Sequence, residues 1–379
     1  MKFPSAHRLA VLGLLVFGLS WSATADLPEI RTVFLIMMEN HSWETIRDTN
    51  HCPFINQVLL PQASFAENYY TPTNNHPSEP NYIWLVAGTN FGALSDQPPS
   101  VNAHLTTNHL AFQLDHAGVS WRTYQEDISG NDIPNTNNGN YAVRHNPFMF
   151  FPGITSDFGY CTNHVRPFTE LAPDLAAGRV ARFNFITPNL TNDMHNLSPG
   201  SPSTRTQGDR WLRDTLAVIT ASPAFQDRGA VFITWDEGAE TATDPTRDGP
   251  IGLIVLSPLG KGGGYHNSVY YTHSSTLRTV QEIFSLRPFL GDAANANDLA
   301  DLFQPASSPR LSLEPGFPHG PVKFQVTGAE PGRAYELRNS TDLLHWSVLS
   351  QLVATDSVFE LPATNSPVGD LGFFRLDSP

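Results

Sequence analysis

Ser78 stands in Asn74-Asn75-His76-Pro77-Ser78-Glu79-Pro80-Asn81-Tyr82, just ahead of an apolar stretch, Ile83 to Ala87, that Gly88 closes. This spacing predicts a helix with Ser78 as its N-cap and Pro80 in the first turn, where a missing N–H costs nothing. A helix N-terminus favours an anion, through free N–H groups and the helix dipole. A hydroxyl there is either a plain cap or a nucleophile whose alkoxide and attached phosphate are both stabilised, and the spacing alone leaves both open. Phosphoryl transfer to a serine needs a cation beside it, and hard cations take oxygen ligands. Glu39, Asn40, Asp236 and Glu237 are oxygen donors of that kind. Each pair also has a plainer reading: Glu39-Asn40 as the cap of a following helix, Asp236-Glu237 as a solvated turn.

The elements that must position these residues read as alternating strands and helices. Thr32 to Met38 is a continuous apolar run, which is how a strand buried on both faces looks. Similar runs recur at Ala181 to Ile186, Gly229 to Trp235 and Ile251 to Leu256, and Trp211, Leu212, Thr215, Leu216 and Ile219 have helical spacing between them. The alternation predicts an α/β fold, a mostly parallel sheet flanked by helices. In such sheets ligands bind beyond the carboxyl ends of the strands, where Glu39-Asn40 and Asp236-Glu237 fall.

The chain has 379 residues with 22 Lys and Arg against 36 Asp and Glu, a formal charge of −14. That balance argues against nucleic acid as a partner. With 40% hydrophobic and only 15% charged residues, the chain is expected to fold over most of its length. Lys2 and Arg8 precede the apolar run Leu9 to Leu19, and Ala23-Thr24-Ala25 supplies small residues at the spacing of a signal-peptide cut, placed after Ala25. The expected product is secreted or periplasmic, and the run is too short for a transmembrane segment. In an oxidising space Cys52 and Cys161, the 2 cysteines, are expected to pair; two inert buried thiols are the plainer reading. Gln304 to Pro309 reads as a linker between residues 26–305 and a module over 310–379. In that module Phe324 and Val326, Tyr335 and Leu337, and Val358 and Leu361 mark short strands of a small all-β sandwich. Trp346, in Ser340-Thr341-Asp342-Leu343-Leu344-His345-Trp346, is expected in its core, with a glycan contact as the alternative.

Six motifs in order resemble a known family: Val33 to Trp43, His76 to Gly88, His145-Asn146-Pro147-Phe148, Thr187 to His195, Thr234-Trp235-Asp236-Glu237-Gly238 and Thr272-His273-Ser274-Ser275. They look like the successive motifs of the phosphoesterase family of acid phosphatases and bacterial phospholipases C, within the alkaline phosphatase superfamily, over about residues 30–305. The resemblance implies that Glu39, Asn40, Asp236 and Glu237 bind one divalent metal ion that also contacts Ser78, the nucleophile. It implies that Asn81 donates to a phosphoryl oxygen. His195 and His273 would hold phosphate oxygens, protonate the leaving group or activate water, with His145 and His76 as further candidates. Asp193 is the residue that would ligate a second metal, although Asp193-Met194-His195 is a shorter spacing than two-metal members use. The expected activity is hydrolysis of phosphate monoesters through a phosphoserine. A phospholipase C-type diesterase is the alternative, and a non-catalytic surface- or glycan-binding protein a more distant one. The C-terminal module would contact a cell wall, a polysaccharide or a lipid surface.

Overall fold

The computed structural model describes residues 27–238, 249–305, 309–314, 323–329, 331–341, 343–362 and 373–377. The expected signal peptide and its cut lie outside the described residues, as do residues 306–308 of the expected linker. Among the described residues ten strands precede residue 305: β1 (Thr32–Met38), β2 (Ser64–Ala66), β3 (Tyr69–Tyr70), β4 (Trp121–Gln125), β5 (Val165–Pro167), β6 (Phe183–Thr187), β7 (Gly229–Trp235), β8 (Leu253–Leu256), β9 (Tyr265–Asn267) and β10 (Tyr271–Thr272). Eight of them form one sheet in the order β5-β4-β6-β1-β7-β8-β2-β9. Neighbours pair in parallel except at β8, which runs against both β7 and β2. The mostly parallel sheet expected from the sequence is therefore present. Its central strands β1 and β7 are buried along nearly their whole length, which explains runs that are apolar at every position rather than every second one.

The Thr204–Thr220 helix buries Trp211, Leu212, Thr215, Leu216 and Ile219, and the Ser203 side chain caps it by accepting from the Thr206 N–H. The Ser78–Ala87 helix packs against the His273–Ile283 helix. Ser78 is its first residue and Pro77 its N-cap, one residue earlier than the spacing predicts. Gly88 ends it at φ +69°, and a Cβ there would lie 2.2 Å from the Leu290 carbonyl oxygen, so only glycine lets the helix seat this closely. No helix among the described residues is long and apolar enough to cross a membrane.

The expected disulfide is not formed. Cys52 and Cys161 are both free and buried, Cys52 beside Asp209 and Asp48 and Cys161 beside Tyr141 and Tyr160. Burial pushes the thiols up to about 12 and about 11, so both are inert apolar packing groups.

His109 caps the Leu110–His116 helix: its Nδ1 accepts from the Phe112 N–H at 3.2 Å and its ring stacks on Phe151 with centroids 4.3 Å apart. Burial holds the imidazole neutral down to about pH 4. An unfolded histidine binds its proton near pH 6.5, so between these values the unfolded chain carries the extra proton and stability falls as pH falls. His109→Asn keeps a capping acceptor and removes the titration. Thermal unfolding at neutral pH and near pH 4.5 is expected to show a smaller acid loss for the variant than for the parent chain.

Beyond residue 305 lie β11 (Arg310–Glu314), β12 (Lys323–Thr327), β13 (Ala334–Ser340), β14 (Ser347–Val353), β15 (Val358–Pro362) and β16 (Phe373–Asp377). They pair antiparallel in two small sheets, β11-β12-β15 and β14-β13-β16. Phe324, Val326, Tyr335 and Leu337 form a hydrophobic cluster separate from that of the large sheet. Trp346 is not in it: the ring is half-buried under the Arg375 guanidinium, 4.3 Å from its centroid, because its Nε1–H reaches back to the Leu343 carbonyl in the turn.

Candidate active site

β1 and β7 are in register to their last residues, Met38 opposite Trp235, so Glu39 and Asp236 leave the sheet side by side. Backbone hydrogen bonds tie three loops together there. Asp236 N–H donates to Met38 O at 3.0 Å, Asn40 N–H to Asp236 Oδ1 at 2.9 Å, and Glu39 N–H to Asp193 O at 2.8 Å. Asn40 and Met194 hold left-handed φ angles of +49° and +87°, a strained state for non-glycine residues that the surrounding contacts must enforce.

The helix N-terminus brings Ser78 onto this edge. Its Oγ–H donates to Glu39 Oε2 at 3.2 Å, and hydrogen bonding from Ser78 is among the influences on Asp236. On the other side of Glu39, Oε1 lies 3.1 Å from His145 Nε2, and the opposite ring nitrogen lies 3.3 Å from Asp193 Oδ2. Ligand atoms of Glu39, His145 and Asp193 fall within 4.8 Å of one another. Burial first, then the charge of Asp236, lifts the Glu39 carboxyl well above the usual range; burial first, then the charge of Glu237, does the same to Asp236, and burial does so to Asp193. Burial first, then the charge of Arg144, drives the His145 imidazole well down, so it is neutral and able to ligate. Glu39 Oε1, Asn40 Oδ1, His145 Nε2, Asp193 Oδ2 and Asp236 Oδ2 are buried with no hydrogen-bond partner among the described residues. Packing several carboxylates and orphaned acceptors together out of water is costly unless a cation satisfies them. An oxygen-rich set with one imidazole fits a hard or borderline divalent ion.

Other residues expected at the site are differently employed. Glu237 Oε2 lies 2.7 Å from His76 Nδ1 and accepts from Asn81 Nδ2 at 3.0 Å. Asn81 was expected to donate to a phosphoryl oxygen, but its amide is committed within the protein. Nδ2 also donates to Asn75 O at 2.7 Å, and Oδ1 accepts from Thr71 and Asn75, each at 2.8 Å. His273 was expected to face the phosphate and instead is a buttress. Nε2–H donates to the backbone oxygen of Asp236 at 2.7 Å, Nδ1 lies 3.1 Å from the Tyr69 hydroxyl, and burial lowers the ring to about 4. Nε2 is spent on the Asp236 backbone oxygen and Nδ1 on the Tyr69 hydroxyl.

His195 sits half-buried at the mouth of the site. Its N–H donates to Asp193 Oδ1 at 2.7 Å, its Nδ1 is 2.9 Å from Asn196 Oδ1, and its Nε2 is 3.3 Å from an Arg144 terminal nitrogen. Arg144 went unnoticed in the sequence although it directly precedes the His145-Asn146-Pro147-Phe148 motif. Tyr82 was also missed. Its ring stacks on His145 at 4.9 Å and 6°, and its position four residues after Ser78, on the same helical face, is the signal that marks it.

A model of the Phosphoesterase family matches residues 48–287. A phosphatidylinositol-3-phosphatase of Mycobacterium tuberculosis is 28% identical over 307 residues, covering 78% of this chain and 94% of that protein. An acid phosphatase of Aspergillus fumigatus is 27% identical over 266 residues, 68% of this chain and 55% of the fungal protein. The chain thus spans nearly all of the first relative and about half the length of the second. Among solved structures, a protein of the alkaline phosphatase superfamily from Vibrio parahaemolyticus is similar at a TM-score of 0.49 and 9% identity, covering 90% of this chain and 84% of that one.

Proposed function

The chain belongs to the phosphoesterase family and is a hydrolase of phosphoric esters, and from that premise we propose that it is a secreted, metal-dependent phosphatase that cleaves phosphate monoesters through a phosphoserine at Ser78. One observation carries this reading. A serine hydroxyl at the first residue of a helix is held 3.2 Å from Glu39 Oε2, beside buried ligand atoms of Asn40, Asp193, Asp236 and His145 that have no hydrogen-bond partner among the described residues.

Glu39, Asn40, Ser78, Asp236, His145 and Asp193 would hold the divalent ion, while Glu237 and Asn81 fix the loop and helix that carry them. The chemistry such an ion supplies when bound is Lewis-acid polarisation of the serine hydroxyl and of the phosphoryl oxygens. Glu39 aims the Ser78 hydroxyl, and Ser78 Oγ attacks phosphorus in line with the departing alcohol. The N-terminus of the Ser78–Ala87 helix faces the equatorial oxygens with its dipole. His195, at the mouth, assists the leaving alcohol and then the water that cleaves the phosphoserine. His273 and Tyr69 keep Asp236 from shifting during these steps. The monoester preference rests on the two relatives, each named a phosphatase. Export rests on the leader-like first 25 residues, and the C-terminal sheets would serve as a contact to a cell wall, polysaccharide or lipid surface.

The test is hydrolysis of para-nitrophenyl phosphate beside para-nitrophenylphosphorylcholine by purified protein, from acid to alkaline pH, with and without chelator. Monoester turnover that chelation abolishes and a divalent ion restores is expected. Preference for the choline diester would favour the phospholipase C-type alternative. No turnover of either ester under any added metal would leave the binding-protein reading.

A further inference from the structure

We propose that Arg144 contacts the phosphoryl group and sets the preference for monoesters over diesters, an inference that rests on the phosphatase reading above. A monoester dianion carries one more charge than a diester and leaves one more phosphoryl oxygen free of substituents. An enzyme that distinguishes the two needs a second cationic group, apart from any metal, facing that extra oxygen.

Arg144 stands where such a group is required. From the nucleophile's side, the Glu79 N–H, next to Ser78, donates to Asp96 Oδ1 at 3.0 Å, and Asp96 Oδ2 lies 3.5 Å from Arg144 Nε. From the acidic side, Asp193 Oδ1 accepts from the His195 N–H, and His195 Nε2 faces the Arg144 terminal nitrogen. The guanidinium thus bridges the helix that starts at Ser78 and the loop that carries Asp193. Its charge is felt at His145, Asp193 and Glu79.

Its own donors are under-used. Nε is buried without a hydrogen-bond partner among the described residues, and the approach to Asp96 lacks the two parallel bonds of a forked arginine–carboxylate pair. The side chain keeps 20% of its surface exposed, so it is neither sealed from ligand nor solvated like a surface arginine. Glu79 supports the arrangement from below, its carboxylate accepting from Gln97 N–H and from Asn102 Nδ2, each at 2.7 Å, which pins the loop that bears Asp96.

The experiment compares the full metal-loaded chain with Arg144→Gln and Arg144→Lys. It reads kcat/KM for para-nitrophenyl phosphate and for bis(para-nitrophenyl) phosphate, and competitive inhibition by inorganic phosphate; thermal unfolding checks the fold. For R144Q the monoester-to-diester ratio of kcat/KM is expected to fall about 10- to 100-fold, the loss of one charge-assisted contact. Phosphate inhibition should weaken by a similar factor, and R144K should recover part of both. Equal losses on the two esters with unchanged phosphate inhibition would reduce Arg144 to a structural role and overturn the proposal, as would no loss at all. If the parent chain itself prefers the diester, the monoester reading fails on its own; unchanged phosphate inhibition in R144Q then also removes Arg144 from the phosphate site.

Discussion

Ser78→Ala is expected to lower phosphatase turnover by about three orders of magnitude or more, as loss of a covalent nucleophile does, while metal content and thermal stability stay close to those of the parent chain. The hydroxyl is the only group removed, and its hydrogen bond to Glu39 is not what the helix depends on. The start of that helix is fixed by Asp96 at the Glu79 N–H, and its body by Tyr82, Ile83, Leu85 and Val86, all buried. The checks are steady-state kinetics, metal analysis and circular dichroism on the same preparation. A variant with undiminished turnover would mean that the serine only begins a helix, the plainer reading that its spacing always allowed.

Glu39→Gln has an effect whose sign depends on the metal. With metal present, the variant loses a charged ligand that lies between Ser78 on one side and His145 on the other, and turnover should drop about 100-fold or more. With metal chelated, the same change should raise stability by about 1–3 kcal/mol, because it removes a buried carboxylate that Asp236, Asp193 and Glu237 all repel. The parent chain should gain in melting temperature when a divalent ion is added, and the variant should gain little. Thermal unfolding of both proteins, with chelator and with added ion, reads all four states. If E39Q is less stable than the parent chain without metal, the cluster is a hydrogen-bonded structural network rather than an ion site.

Much of this architecture was legible because the physics is local. A seven-residue run such as Thr32 to Met38 is apolar at every position only when both faces are covered, and the acidic residues that follow it and Trp235 are conspicuous against so few charges. What the sequence concealed was side-chain direction. Asn81 and His273 have the right chemistry and lie on the right helices, yet they face inward onto Glu237 and the Asp236 carbonyl. No spacing rule distinguishes a histidine that meets substrate from one that braces a strand end. Asp193 was weighed for a second ion although its separation from His195 is shorter than two-metal members use. In the structure His145, distant in sequence, supplies the imidazole beside it. The cysteines misled for a similar reason: their number and the expected compartment favoured a bridge, while packing buries them in separate surroundings. Trp346 shows the limit of composition, since its indole finds a partner in its own turn and a cation above it without entering a core.

The central claim is that Ser78 carries the phosphoryl group during turnover. Its most direct test is to quench metal-loaded enzyme with acid while it is hydrolysing para-nitrophenyl phosphate, digest it, and map phosphate by mass spectrometry. The expected result is phosphate on the peptide containing Ser78, absent when the chelator is added before substrate and absent from Ser78→Ala. Phosphate on a histidine peptide, or continued turnover with no phosphopeptide at any quench time, would contradict it.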